Sequence, residues 1–199
     1  MSFLLSAYSS LKFGSDPLSQ FSSLPEKFHA LSAKTAIPCL GSAAGSDLQF
    51  SQLAGKVLLV TNVASLCGYT KKNNQWLSET AQKYSELHVL AFPCGQFNSQ
   101  EYSDPNEVCS SHLAGLKECK SCFGKSLFLF EKIFINGQQT DPVFGWLRSH
   151  SELKSKDSVK PIPWNYCKFV VDKKGEVRGF FKSGDTKEVE ECIEKCLAE

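Results

Sequence analysis

Gly55-Lys56-Val57-Leu58-Leu59-Val60-Thr61-Asn62-Val63 is the stretch that decides the fold. From Val57 on it is β-branched and apolar on both faces, the pattern of a strand buried between two layers. Thr70 to Glu86 then has helical spacing, with Trp76, Leu77, Ala81 and Tyr84 on one side. Leu87 to Phe92 is a second apolar strand, stopped by Pro93. Strand, helix and strand within about 40 residues make a βαβ unit, whose crossover is right-handed in ~98% of cases.

C-terminal to this unit, Pro105 to Leu116 is a candidate helix. Asp141-Pro142 places a cap before a proline at the first helical position and opens a helix over Val143 to His150. Lys168 to Val171 and Glu176 to Phe181 flank Asp172-Lys173-Lys174-Gly175, which reads as a β-hairpin. Asp185 is expected to cap a last helix, with Glu188 three residues on and Val189, Cys192, Ile193, Cys196 and Leu197 as its apolar stripe. N-terminal to the unit, Phe28 to Pro38 alternates loosely and Gly41-Ser42-Ala43-Ala44-Gly45 reads as a hairpin loop. The expected fold class is α/β, with a mixed central sheet flanked by helices.

The chain has 199 residues, with 22 Lys+Arg against 21 Asp+Glu. Its length suits one domain, and a net charge of +1 removes the electrostatic case for nucleic-acid binding. No apolar run approaches the ~20 residues that span a bilayer. Residues 1–26 hold eight Ser and one Lys, Lys12. They read as a flexible leader or an organelle-targeting segment, with the domain over 27–199. Nine cysteines, at 39, 67, 94, 109, 119, 122, 167, 192 and 196, are odd in number and irregular in spacing. With no secretory signal in Phe3-Leu4-Leu5, reduced thiols in an intracellular, cytoplasmic setting are expected.

Cys67 is the thiol placed for chemistry. It falls between the end of a buried strand and the start of a helix, in Val63-Ala64-Ser65-Leu66-Cys67-Gly68-Tyr69-Thr70. Unpaired N–H groups at a helix N-terminus favour an anion, and a thiolate is the reactive form of cysteine. The same octet is also compatible with an inert packed cysteine, and its neighbours tip the balance.

Three motifs in order resemble the glutathione peroxidase family, from about Lys27 to the C-terminus. They are 55–65 with Cys67-Gly68-Tyr69-Thr70; Leu90-Ala91-Phe92-Pro93-Cys94-Gly95-Gln96-Phe97 with Gln100-Glu101; and Trp164-Asn165-Tyr166 with Lys168-Phe169 and Asp172. The resemblance implies a thioredoxin-like fold and a thiol-dependent peroxidase. It puts Cys67 at the peroxidatic position, with Gln100, Trp164 and Asn165 at the other active-site positions. Two amides and an indole N–H are neutral donors that would favour a thiolate and stabilise oxygen charge as an O–O bond breaks.

Many cysteine-type members of the family place a resolving cysteine in the region of residues 106–126, where this chain departs from the pattern. Cys109, Cys119 and Cys122 are the candidates, with Cys119 and Cys122 preferred on a loop able to reach oxidised Cys67. Cys109, His112, Cys119 and Cys122 also have zinc-ligand chemistry, but the run between them is short for a finger. No metal and no cofactor are expected. Cys94 and Cys167 read as packed thiols, Cys192 and Cys196 as core, and no histidine has an evident partner.

The resemblance implies a hydroperoxide substrate and a thioredoxin-like protein or glutathione as reductant. The short segment from Ser149 to Pro163 is like that of monomeric members that reduce lipid hydroperoxides. Lys154, Lys156 and Lys160 would stand near the active-site rim, where transient membrane-surface contact could arise. The competing reading is a redox sensor or relay that passes oxidation to a partner by thiol–disulfide exchange, which would have no use for the donors Gln100, Trp164 and Asn165.

Overall fold

The computed structural model describes residues 13–37, 43–116 and 124–199. Nine strands are assigned among these residues: β1 (Asp16–Pro17), β2 (Ser32–Lys34), β3 (Asp47–Gln49), β4 (Val57–Val63), β5 (Leu87–Pro93), β6 (Leu127–Leu129), β7 (Ser158–Val159), β8 (Lys168–Val171) and β9 (Val177–Phe181). The helices are α1 (Thr70–Lys83), α2 (Pro105–Gly115), α3 (Pro142–Ser149) and α4 (Thr186–Ala198). The central sheet runs β6-β5-β4-β8-β9, parallel through β6, β5 and β4 and antiparallel through β8 and β9. It is thioredoxin-like, with α1 as the crossover between β4 and β5.

The central strands separate two cores by simple alternation. Leu58 and Val60 of β4, Leu90 and Phe92 of β5 and Phe169 of β8 face one side, with Phe144 and Leu147 of α3. Val57, Leu59, Val89, Ala91 and Val170 face the other, with Leu77 of α1 and Val189 and Ile193 of α4. Each such side chain contributes on the order of 1.5–3 kcal/mol by burial. All seven residues of β4 are buried, which is why its sequence lacks a polar face.

Element ends depart from the sequence pattern in small ways. α1 stops at Lys83 because Tyr84 turns extended (ψ 99°). β2 and β3 pair antiparallel, with Lys34 opposite Asp47, so they flank the expected hairpin; its residues 41–42 lie outside the described residues. Asp185 stands at the N-cap of α4 but makes no side-chain cap bond. Its Oδ2 instead accepts the Lys182 N–H at 2.8 Å. β6 had no sequence signal of its own: three apolar residues are too few to show a period.

The flexible leader expected over residues 1–26 does not extend through residues 13–26, which are folded onto the domain. β1 pairs with β7, Phe21 is buried, and the Trp146 indole N–H donates to the Pro25 carbonyl at 3.0 Å. The Asp16 carboxylate meets Arg148 at 2.7 Å. Arg148 is fully buried and also donates to the carbonyls of Ile135, Val159 and Lys160. A buried guanidinium needs a carboxylate, and the partner lies 132 residues away, too far for any local pattern to show.

Candidate active site

Cys67 lies four residues beyond the last residue of β4 and three before the first of α1. Thr70 closes this junction: its hydroxyl accepts the Cys67 N–H at 3.2 Å and donates to the Ala64 carbonyl, and its N–H donates to the Cys67 carbonyl at 3.0 Å. Tyr69, at the N-cap, makes no side-chain cap bond. Cys67 is 8% exposed. It borders a groove of roughly 890 Å³ between α1 and α2, lined also by Ser65, Gly68, Asn74, Ser111 and Gly115.

Backbone and amide bonds tie the motifs to this junction. The Leu66 N–H donates to the Gln100 carbonyl at 2.9 Å. The turn before Gln100 holds Asn98 and Ser99 at φ of 51° and 52°, in the left-handed region, and the Gln100 N–H closes it on Phe97 at 3.1 Å. The Asn165 Nδ2 donates to Gln100 Oε1 at 2.9 Å. Because that oxygen is occupied, the Gln100 amide nitrogen remains as a donor. Asn165 is fully buried, and its own Oδ1 has no partner.

Trp164 packs its ring on Phe97 at 5.6 Å between centroids, and its carbonyl accepts from Asn62 Nδ2 at 3.1 Å. Asn62 Oδ1 accepts the Cys167 N–H, and the Asn62 carbonyl accepts the Tyr166 N–H at 2.7 Å. Tyr166 sits at φ 60°, and its hydroxyl donates to the Ala64 carbonyl at 2.8 Å. Burial holds that phenol well above its ordinary range. Thus Thr61 and Asn62, the two polar residues in an apolar strand, are site-building residues, with Thr61 Oγ1 on the Cys167 carbonyl at 2.9 Å. Their polarity inside a buried run was the available signal, and it was missed.

Lys168 belongs to the third motif. It is fully buried, and its Nζ donates to Asn73 Oδ1, to the Tyr166 carbonyl and to the Ser183 carbonyl. Burial pulls it down to about 8. The expectation that no histidine has a partner is corrected at His112, whose Nε2 lies 2.6 Å from Glu101 Oε2 with both side chains fully buried. His112 is on α2 and Glu101 follows Gln100, so only the packing of α2 joins them.

The other cysteines sort by surroundings. Cys94 and Cys167 are fully buried, and burial pushes each thiol up to about 12. Burial also raises Cys109, whose Sγ points at the Ala36 carbonyl, and Cys192; it pushes Cys196 up to about 12. Cys119 and Cys122 lie outside the described residues. So does half of the zinc-type set, whose His112 is engaged with Glu101.

A parallel βαβ sheet extended by an antiparallel hairpin, with a thiol at the start of the crossover helix, defines a thiol-redox protein of the thioredoxin-like class. The comparisons narrow the class. The glutathione peroxidase model matches residues 38–148. The glutathione peroxidase homolog BsaA of Bacillus subtilis is 37% identical over 157 residues, covering 77% of this chain and 91% of that one. The glutathione peroxidase-like peroxiredoxin 1 of Saccharomyces cerevisiae is 37% identical over 135 residues, 67% of this chain and 75% of the yeast protein. Among solved structures, T. cruzi GPX1 superposes with a TM-score of 0.63 at 25% identity, covering 87% of this chain and 97% of that one. A secreted Mycobacterium tuberculosis disulfide oxidoreductase homologous to E. coli DsbE is similar in fold, with a TM-score of 0.54 at 12% identity over 86% of this chain and 99% of that one. The chain belongs to the glutathione peroxidase family and is a thiol-dependent peroxidase.

Proposed function

We propose that Cys67 is the peroxidatic thiol and that Gln100, Trp164 and Asn165 are its donor set. The Cys67 thiolate attacks the terminal oxygen of a hydroperoxide. The O–O bond breaks, Cys67 becomes a sulfenic acid, and the alkoxide or hydroxide takes a proton to leave as alcohol or water. The donors stabilise charge on the departing oxygen without titrating. The observation that carries this reading is the chain of bonds from the Cys67 loop, through Leu66, to the Gln100 carbonyl and from the Gln100 side chain to Asn165. Cys67→Ser tests it: loss of peroxide reduction in a folded protein is expected, and near-wild-type turnover would reject it.

A second cysteine then attacks the sulfenic sulfur, releasing water and forming a disulfide that an external thiol reduces. Cys119 or Cys122 fits this step better than Cys109, whose thiol is half-buried on the Ala36 carbonyl. The groove beside Cys67 is walled by Ala114 and Gly115 at the end of α2. Peptide mapping of the oxidised protein decides between Cys67–Cys119 and Cys67–Cys122, and a Cys67–Cys94 bond would overturn both.

The reductant is proposed to be a thioredoxin-like protein, with glutathione as the competing donor. Two relatives carry the description glutathione peroxidase-like peroxiredoxin. Lipid hydroperoxides are proposed as substrates beside hydrogen peroxide, since relatives from Helianthus annuus and Citrus sinensis are described as probable phospholipid hydroperoxide glutathione peroxidases. The protein is proposed to act as an intracellular, cytoplasmic monomer. Side-by-side turnover with thioredoxin and glutathione systems, on hydrogen peroxide and a phospholipid hydroperoxide, tests the chemistry; sedimentation tests the monomer.

A further inference from the structure

His112 stands where three pieces of the site meet. Its Nε2 is 2.6 Å from Glu101 Oε2 and 3.4 Å from Ser65 Oγ, while its Nδ1 is buried with no hydrogen-bond partner. A bare Nδ1 places the imidazole proton on Nε2, where it is donated to the carboxylate. The other Glu101 oxygen accepts the Tyr102 N–H at 2.9 Å. The carboxylate is therefore held from α2 on one side and from its own loop on the other.

Glu101 directly follows Gln100, and Ser65 is two residues before Cys67. The Gln100 turn is strained: Asn98 and Ser99, neither of them glycine, both occupy the left-handed region. Such backbone persists only where its surroundings over-determine it. Two ties hold this turn to the Cys67 loop. One is the Leu66 N–H on the Gln100 carbonyl. The other is the Glu101–His112 bond, which pins the turn to α2, with Ser65 of the Cys67 loop packed against the same ring at 3.4 Å. We propose that Glu101 and His112 are a positioning pair that locks the turn carrying Gln100 to the loop carrying Cys67, and thereby sets the rate of Cys67 oxidation.

The pair touches neither peroxide nor sulfur. It acts through Gln100, whose amide nitrogen must be aimed while its oxygen is held by Asn165. A loosened turn misdirects that donor in the oxidation step, where charge develops on oxygen. Reduction of the finished disulfide has no such demand.

The inference rests on Cys67 as the peroxidatic thiol, so the experiment reads both. Reduced full-length protein is mixed with one equivalent of hydrogen peroxide, quenched with a sulfenic-acid trap, and Cys67 modification is timed by mass spectrometry. Reduction of the oxidised protein by dithiothreitol is timed separately. The double variant Glu101→Leu/His112→Leu leaves no unpaired buried charge and is expected to fold. It should oxidise about 10- to 100-fold more slowly, the scale of a misplaced catalytic group, while its reduction rate stays near wild type. Wild-type oxidation rates in that variant, or equal slowing of both steps, would overturn the pairing alone. Wild-type protein in which peroxide leaves Cys67 unmodified would overturn the Cys67 assignment and the pairing with it.

Should circular dichroism show the double variant unfolded, three single variants decide. Glu101→Gln keeps an oxygen acceptor and His112→Gln keeps an N–H donor, so both should oxidise within a few-fold of wild type. His112→Ala keeps neither donor nor bulk and should be slow. Equal oxidation rates across the three overturn the proposal.

Discussion

Two cysteines follow the C-terminal ends of adjacent parallel strands, and they differ in almost everything that governs a thiol. β4 and β5 end in register, with Val63 opposite Pro93. Cys94 comes straight after β5 and donates its N–H to the Val63 carbonyl. It is fully buried, its Sγ rests on Gln96 Oε1, and burial pushes it up to about 12. Cys67 comes after β4, at the mouth of a helix and on the edge of a groove. A strand end alone does not make a nucleophile. On the proposed reading of Cys67, a helix N-terminus, an opening for substrate and a set of neutral donors must coincide there.

The largest expected difference between them is in turnover. Cys67→Ser should fall to the uncatalysed rate, whereas Cys94→Ala should keep peroxidase activity within about twofold and lose about 1 kcal/mol of stability. Steady-state peroxide consumption and urea midpoints on both variants check this. A dead Cys94→Ala variant that remains folded would erase the contrast.

Alkylation should show the same contrast without mutation. A thiol near 12 is about 10³-fold less ionised at pH 8 than an ordinary one near 8.5, before access is counted. Cys94 and Cys167 should therefore stay unmodified by iodoacetamide in the native reduced protein until unfolding, while Cys67, on the edge of the groove, is marked. Peptide mass spectrometry over time reads it, and early labelling of Cys94 would break the comparison.

Asn165→Ala sharpens the donor side of the comparison. It removes one donor and frees the Gln100 side chain, so kcat should fall about 10²- to 10³-fold with the protein still folded, the scale of a lost oxyanion donor. Cys94→Ala itself should have no effect of that size on turnover.

The smallest effect concerns Lys168, which props up the Tyr166 carbonyl behind Asn165. Its folded-state value is lowered to about 8, so the unfolded chain binds more protons between about pH 8 and the ordinary lysine value. Lys168 therefore contributes a destabilisation that is full below about pH 8 and relieved as pH rises toward ~10.4, worth on the order of 1–3 kcal/mol. Buried Cys94 and Cys167 act oppositely, losing stability between the ordinary thiol value and about 12. The quantity to measure is therefore the difference in urea stability between wild type and Lys168→Met across pH 7 to 10.5. A flat difference would count against a buried ammonium.

Much of this was readable in order along the chain. β4, α1 and β5 are local and strongly patterned, so 57–92 could be assigned with only the end of the helix displaced. The hairpin of β8 and β9 was signalled by Gly175, which adopts φ 86°. Cys67, Gln100, Trp164 and Asn165 were singled out from motifs, and the structure ties Gln100 directly to Asn165 and to the Cys67 loop. What failed to show shares one property, a partner supplied by packing rather than by a local pattern. Asp16 meets Arg148, His112 meets Glu101 across a helix packing, and the short β6 becomes a strand only by pairing with β5.

The amino-acid sequence by itself determined the apolar runs of its buried strands, the helix cap at Asp141, and a cysteine at a strand-to-helix junction. These depend on neighbours within a turn or two, where sterics and backbone hydrogen bonding decide. Only the tertiary structure decided how far burial raises each packed thiol, which buried lysine loses affinity for its proton, and which histidine meets a carboxylate. Those outcomes depend on solvent exclusion and on charges brought together by packing, and neither is a property of any local stretch of chain.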